Sequence, residues 1–288
     1  MSVPDSKINA AADNISAGAT GASSSAAGTS NTSSSSPSST GTGPKKDLAA
    51  TVQTLQFAWY IGHVITVVST IFYALTYVKV FPSSYKFWYS LALIGVIESF
   101  GVLLFQTVKK HGFNAKLLAE DNAQYLFLGV LLFIAPPHVL LTLLVFFLFS
   151  TFHVLSYTKH FILPALDIPE THPLSKKIGD FVAANNNKSI QLAALLEVVT
   201  LAWLFVRVIT FRKRSLTPFL AYSIFIKLRY EKSAFTRNYF KQAEIRVENV
   251  VNGSGNPAIK DAWLKAKGVF HQVGSIHFFH DHTKDKSI

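Results

Sequence analysis

The feature that most constrains this chain is one apolar block, residues 125–157, split by the pair Pro136-Pro137. It reads YLFLGVLLFIA before the prolines and HVLLTLLVFFLFSTFHVLSY after them. Continuous Leu, Phe and Val without alternation does not suit a water-soluble domain, and a bilayer helix needs about 20 such residues. Residues 138–157 meet that length. The segment 125–135 is too short to cross and is expected to be re-entrant or interfacial. Proline fixes φ and lacks an N–H, so it is tolerated in the first turn of a helix and not in its interior. The prolines are therefore expected to open the spanning helix.

Three further stretches have spanning length: about 57–78, 87–108 and 190–211. Trp59, Tyr60, Tyr73, Tyr77, Trp88 and Tyr89 lie near their ends, where amphipathic rings anchor helices at the interface. The fold expected is an all-α integral membrane protein of about four transmembrane helices, with its membrane domain over residues 45–214. Residues 1–44 are Ser, Gly, Ala, Thr and Asn with almost no apolar bulk, and are expected to be disordered. Residues 158–189 read as a polar loop, and 216–226 as an interfacial segment too short to span.

Residues 215–288 form a basic tail: from Arg207 to the end there are 15 Lys and Arg against 6 Asp and Glu. Positive charge beside a span marks the cytoplasmic side and attracts anionic lipid. No nucleic-acid-binding motif accompanies it, so nucleic acid is not an expected partner. Two amphipathic helices are expected in the tail, at about 235–251 and 257–273. In the second, Asn256 precedes Pro257 as a helix start. Ile259, Ala262, Trp263, Ala266, Val269, Phe270 and Val273 then fall on one arc. Lys260 and Lys267 flank one edge and Lys265 the other, the pattern of a helix lying among lipid headgroups.

Two carboxyls fall inside the expected spans, Glu98 and Glu197. Intramembrane ionisable groups are functional candidates. The reading taken is a carboxyl facing another helix, with His63 or His153 as partner. His277, His280, Asp281 and His282 occupy a short terminal stretch and read as tail residues rather than a metal site. The chain has no cysteine. No His-X4-Asp, Gly-X-Ser-X-Gly or Walker motif is present, so no enzymatic activity, cofactor or metal is expected.

In the order of its features the chain resembles the transmembrane protein 33 family. The residues that carry this are Pro136-Pro137 with Phe152-His153, Leu228-Arg229-Tyr230, Asn238-Tyr239-Phe240, and Glu244-Ile245-Arg246-Val247-Glu248. The resemblance covers roughly residues 50–275. It implies a multi-span, non-enzymatic protein of the endoplasmic reticulum and nuclear envelope that shapes curved membrane and supports nuclear pore distribution or assembly. Besides the bilayer, the partners in view are nucleoporins, reticulon-like shaping proteins or a karyopherin, met through the basic tail. Two other readings are an interaction scaffold acting through the basic tail and, ranked lower, a transporter or channel component using Glu98 and Glu197.

Overall fold

The computed structural model describes residues 54–113, 117 and 120–276. The expectations for residues 1–44 and for the terminal histidines lie outside these. Among the described residues the regular structure is all helical, with no strand. In order the helices are α1 (Leu55–Tyr77), α2 (Tyr85–His111), α3 (Asp121–Ile134), α4 (Leu140–Tyr157), α5 (Pro173–Ile209), α6 (Leu216–Lys232), α7 (Ala234–Gly253) and α8 (Pro257–Ser275). Four helical stretches are long and apolar enough to cross a membrane: Leu55–Tyr77, Pro82–His111, Leu140–Ala165 and Pro173–Ile209.

α1 starts at Thr54, whose side chain accepts from the Phe57 N–H, a standard use of Thr as an N-cap. It turns into α2 through Lys79 and Phe81, both at positive φ, and a 3₁₀ turn at Pro82–Ser84. The two helices then touch backbone to backbone. A Cβ on Gly95 would sit 2.5 Å from the Gly62 carbonyl oxygen, and one on Gly62 would sit 2.7 Å from Ser99 Oγ. Thr66 Oγ1 donates to the carbonyls of Gly62 at 2.9 Å and Ala92 at 3.3 Å. Glycine spaced four residues from Thr or Ser on both helices is the small-residue packing that joins helices in lipid, where burial of apolar surface gives no net driving force.

The prolines fall in a different place from that expected. They lie in the non-helical link between α3 and α4, and α4 begins only at Leu140. Residues before proline are pushed towards extended backbone, and His138 turns the chain at φ 50. The first free N–H of α4, on Leu140, donates to Tyr77 Oη at 3.4 Å, and Tyr89 and Thr142 hydroxyls pair at 2.7 Å.

The expected polar loop at 158–189 is also corrected. α4 runs on through a π-helical turn (Thr158–Ile162) into Leu163–Ala165, and α5 already begins at Pro173. His172 caps it, accepting from the Leu174 N–H, with Pro173 in the first turn. No breaker interrupts the stretch from there to the apolar segment, so one helix of 37 residues forms. Its first half is polar and mostly exposed.

α6 is the largest departure. Leu216–Ile226, expected as an isolated interfacial segment, is part of a helix packed against the bundle. After the turn at 210–215, α6 doubles back along α5 and packs on α3 and α5. Tyr222, Phe225 and Ile226 join Tyr89, Phe100, Tyr125, Leu128, Leu143, Phe146 and Leu204 in one core. The segment is packed on protein along one side while Leu216, Leu220 and Ile224 stay exposed.

Candidate functional site

The tail is a helical hairpin fastened to the bundle. α7 packs on α5 and α6, and Phe240 reaches the edge of the core, its ring 5.7 Å from that of Tyr230. Ser233 caps α7. The chain reverses at Gly255, which holds φ +65, and α8 starts with Asn256 Oδ1 accepting from the Ala258 N–H at 2.9 Å. At its far end, Lys227 of α6 donates to the Gly274 carbonyl at 2.9 Å while pairing with Glu231 at 3.2 Å.

α8 divides its side chains between two directions. Lys267 turns onto α7, reaching Glu244 at 2.7 Å and Glu248 at 2.5 Å, and His271 Nε2 lies 3.4 Å from Glu244. Trp263 and Ala266 are partly covered, and the Trp263 indole N–H is buried with no partner among the described residues. Of the other predicted stripe residues, Val269 is 58% exposed, Phe270 66%, Val273 48% and Ile259 44%. Lys260 and Lys265 are exposed. The structure therefore brings Ile259, Val269, Phe270 and Val273 together as an uncovered apolar surface with two free lysines nearby. Lys267 belongs to the hairpin's inner side.

The electrostatics fit this division. The hydrogen bond from Lys267 holds the Glu244 carboxyl below the usual carboxylate range, and Glu244 and Glu248 together hold the Lys267 ammonium above its usual value. Both groups favour their charged forms in the docked hairpin.

The second polar constellation lies inside the bundle, around Glu197. This residue is fully buried, and the Tyr125 hydroxyl donates to its Oε1 at 2.5 Å. Arg229 Nε lies 3.5 Å from the same oxygen, and its guanidinium also reaches Asp121 at 3.0 Å and stacks 5.4 Å from the Tyr125 ring centre. Lys232 adds a longer contact to Asp121 at 3.7 Å. Asp121 stands at the first turn of α3 and Arg229 and Lys232 at the last turn of α6, each where its charge complements the helix dipole. The cluster ties three helices together.

The histidines expected beside these carboxyls are elsewhere. His63 and His153 face each other across α1 and α4 with ring centres 4.7 Å apart, and His63 Nδ1 lies 2.9 Å from Ser150 Oγ. Glu197 has Tyr125 and Arg229 instead. Glu98 has no hydrogen bond or ion pair with any described residue and sits partly exposed on the outer side of α2. Sequence reasoning missed Asp121, Tyr125 and Arg229 as partners. The sequence offered only that an acid stands just before one apolar block and an arginine just after another, with no spacing that pairs them. Among the described residues, no group of three or more His, Cys, Asp or Glu is placed to hold a metal ion.

These features can be set beside known proteins. The sequence signature described as Transmembrane protein 33/Nucleoporin POM33 matches residues 44–274. Nucleoporin POM33 of Chaetomium thermophilum is 28% identical over 257 residues, covering 80% of this chain and 89% of that protein. Tetra-spanning protein 1 of Schizosaccharomyces pombe is 29% identical over 250 residues, covering 80% of this chain and 88% of the relative. Pore membrane protein of 33 kDa of Saccharomyces cerevisiae is 29% identical over 239 residues, covering 76% and 83%. No solved structure matches. With its four apolar helices and a signature match over most of its length, the chain belongs to the Transmembrane protein 33/Nucleoporin POM33 family.

Proposed function

We propose that this protein is a non-enzymatic, multi-pass component of the endoplasmic reticulum and nuclear envelope that stabilises curved membrane, including membrane at nuclear pores, by laying α8 into the headgroup region. The observation that carries the reading is the uncovered surface of Ile259, Val269, Phe270 and Val273, on a helix held to α7 along an adjoining edge by Lys267. A helix of this kind gains most where lipid packing is loosened by curvature, because its apolar side chains then fill gaps between headgroups. Exposed Lys260 and Lys265 can reach lipid phosphates from the same helix. The names of the relatives support the location: two are named for the pore and one for its four spans.

The test is imaging of the tagged full chain beside a pore marker, with Phe270→Glu and Val273→Glu introduced together. These side chains are exposed, so the bundle and hairpin remain folded. Wild type is expected in puncta on the nuclear rim and at tubular reticulum, and the double variant in a dispersed reticulum pattern. An unchanged pattern would mean that the spans alone locate the protein and that the α8 surface has another use.

A further inference from the structure

We infer that two copies of this chain associate side by side in the bilayer through the outer face of α2, with Glu98 of one against Glu98 of the other. Glu98 is the central residue of a 27-residue helix, about 20 Å from either end at 1.5 Å rise per residue. On the α-helical repeat it shares a stripe with Phe87, Ile94, Gly101 and Phe105, opposite the buried Ala92, Val96 and Ser99. That stripe points away from the bundle: Phe87 is 59% exposed, Ile94 44% and Phe105 56%, and a Cβ on Gly101 would meet nothing within 4 Å.

Glu98 is therefore a carboxyl at mid-bilayer depth on an otherwise hydrocarbon face, without a partner among the described residues. Glu197 on α5 shows how this protein satisfies such a group from within, using Tyr125 and Arg229. No described residue does the same for Glu98, and a lone carboxyl facing lipid at the centre of a helix is strongly disfavoured. A second copy supplies the partner by symmetry. Copies of a membrane protein share one orientation, so a two-fold axis along the bilayer normal sets α2 against α2 and matches Glu98 to its own copy in depth. A different protein would have to carry a hydrogen-bonding group at that depth. Two facing carboxyls hydrogen-bond each other when at least one holds its proton. Gly101, one turn along, lets the two backbones approach as small residues do at helix interfaces in lipid. The inference needs only the bundle and is independent of how α8 is used.

The natural absence of cysteine makes the test direct. The full chain carrying Gly101→Cys is oxidised in native membranes, beside a control with Val199→Cys on α5, a residue 41% exposed on another face. A disulfide-linked dimer is expected for Gly101→Cys and not for Val199→Cys. Adding Glu98→Leu should lower the cross-linked fraction about three- to thirtyfold, the range of one interhelical hydrogen bond in lipid. Glu98→Leu removes an unpaired group from the outer face, so the detergent-solubilised monomer should unfold no earlier than the parent. Cross-linking at Gly101→Cys no stronger than the control would overturn the inference. So would a dimer indifferent to Glu98→Leu, or an adduct with the mass of another protein.

Discussion

Two ion-pair clusters of the molecule, each centred on one cation between two carboxylates, are set in opposite surroundings. In the bundle, Arg229 joins Glu197 and Asp121 with side chains that are 7%, 0% and 11% exposed. In the tail, Lys267 joins Glu244 and Glu248 with side chains roughly one-third exposed. The glycines at the α1–α2 crossing differ from those of the tail in the same way. Gly62 and Gly95 have no room for a methyl group, whereas Gly253, Gly268 and Gly274 have nothing within 4 Å. The bundle is fixed by contacts that fail as a whole when one partner is removed. α8 is held to α7 by exposed ion pairs, contacts of a kind that open locally at little cost to the rest.

This contrast can be broken at its strongest point first. Arg229→Ala leaves the buried Glu197 without a counter-charge and Asp121 with only its 3.7 Å contact to Lys232, and is expected to lower bundle stability by about 3–5 kcal/mol, read as an earlier unfolding transition in detergent. Combining Arg229→Met with Glu197→Gln and Asp121→Asn should recover part of that loss, because no unpaired charge then remains. If the single and triple variants unfold together, charge pairing is not what the cluster contributes. Gly95→Val comes next. Its side chain would collide with the Gly62 carbonyl, and forcing α1 from α2 should cost about 1–3 kcal/mol by the same measurement. Tyr125→Phe removes one donor from Glu197 and should cost about 1 kcal/mol.

The tail should respond least to substitution and most to solution conditions. Lys267→Gln is expected to leave the bundle transition unchanged and to speed amide exchange in α8 only. Glu244 is depressed in the docked state, so its contribution to docking is present above the ordinary carboxylate pKa of about 4.3 and is lost as pH falls through the lowered value. Lys267 is raised, so its contribution is present below the ordinary lysine pKa of about 10.4 and is lost only as pH climbs through the raised value. Docking should thus be flat across neutral pH, weaken on strong acidification, and weaken with added salt because the pairs are exposed. A docked hairpin that ignored both acid and salt would show that Val251 and Trp263, rather than the ion pairs, hold it.

Most of the bundle could be read from composition, since an uninterrupted apolar run of about 20 residues has few other uses. The tail helices could be read from their period of 3.6 and from Asn256-Pro257, which signals a helix start locally. What could not be read depends on partners far away in sequence. Leu216–Ile226 is too short to span, and its burial exists only because α3 and α5 offer it a surface. The polar stretch after Pro173 lacks an apolar pattern and is the capped first half of one 37-residue helix that runs on into the apolar segment. Glu197 was recognisable as unusual by itself, but its partners lie 72 residues before it, at Tyr125, and 32 after it, at Arg229. No local spacing rule links them.

The central claim is that the uncovered face of α8 meets lipid, and preferentially curved lipid. Because the chain has no cysteine, Val269→Cys provides a single site for an environment-sensitive fluorophore on that face. The labelled full chain would be reconstituted into small and into large vesicles containing brominated lipid. The account predicts blue-shifted, bromine-quenched emission that is stronger in the small vesicles and is abolished by Phe270→Glu with Val273→Glu. Emission that is water-like and unquenched in both vesicle sizes would contradict it.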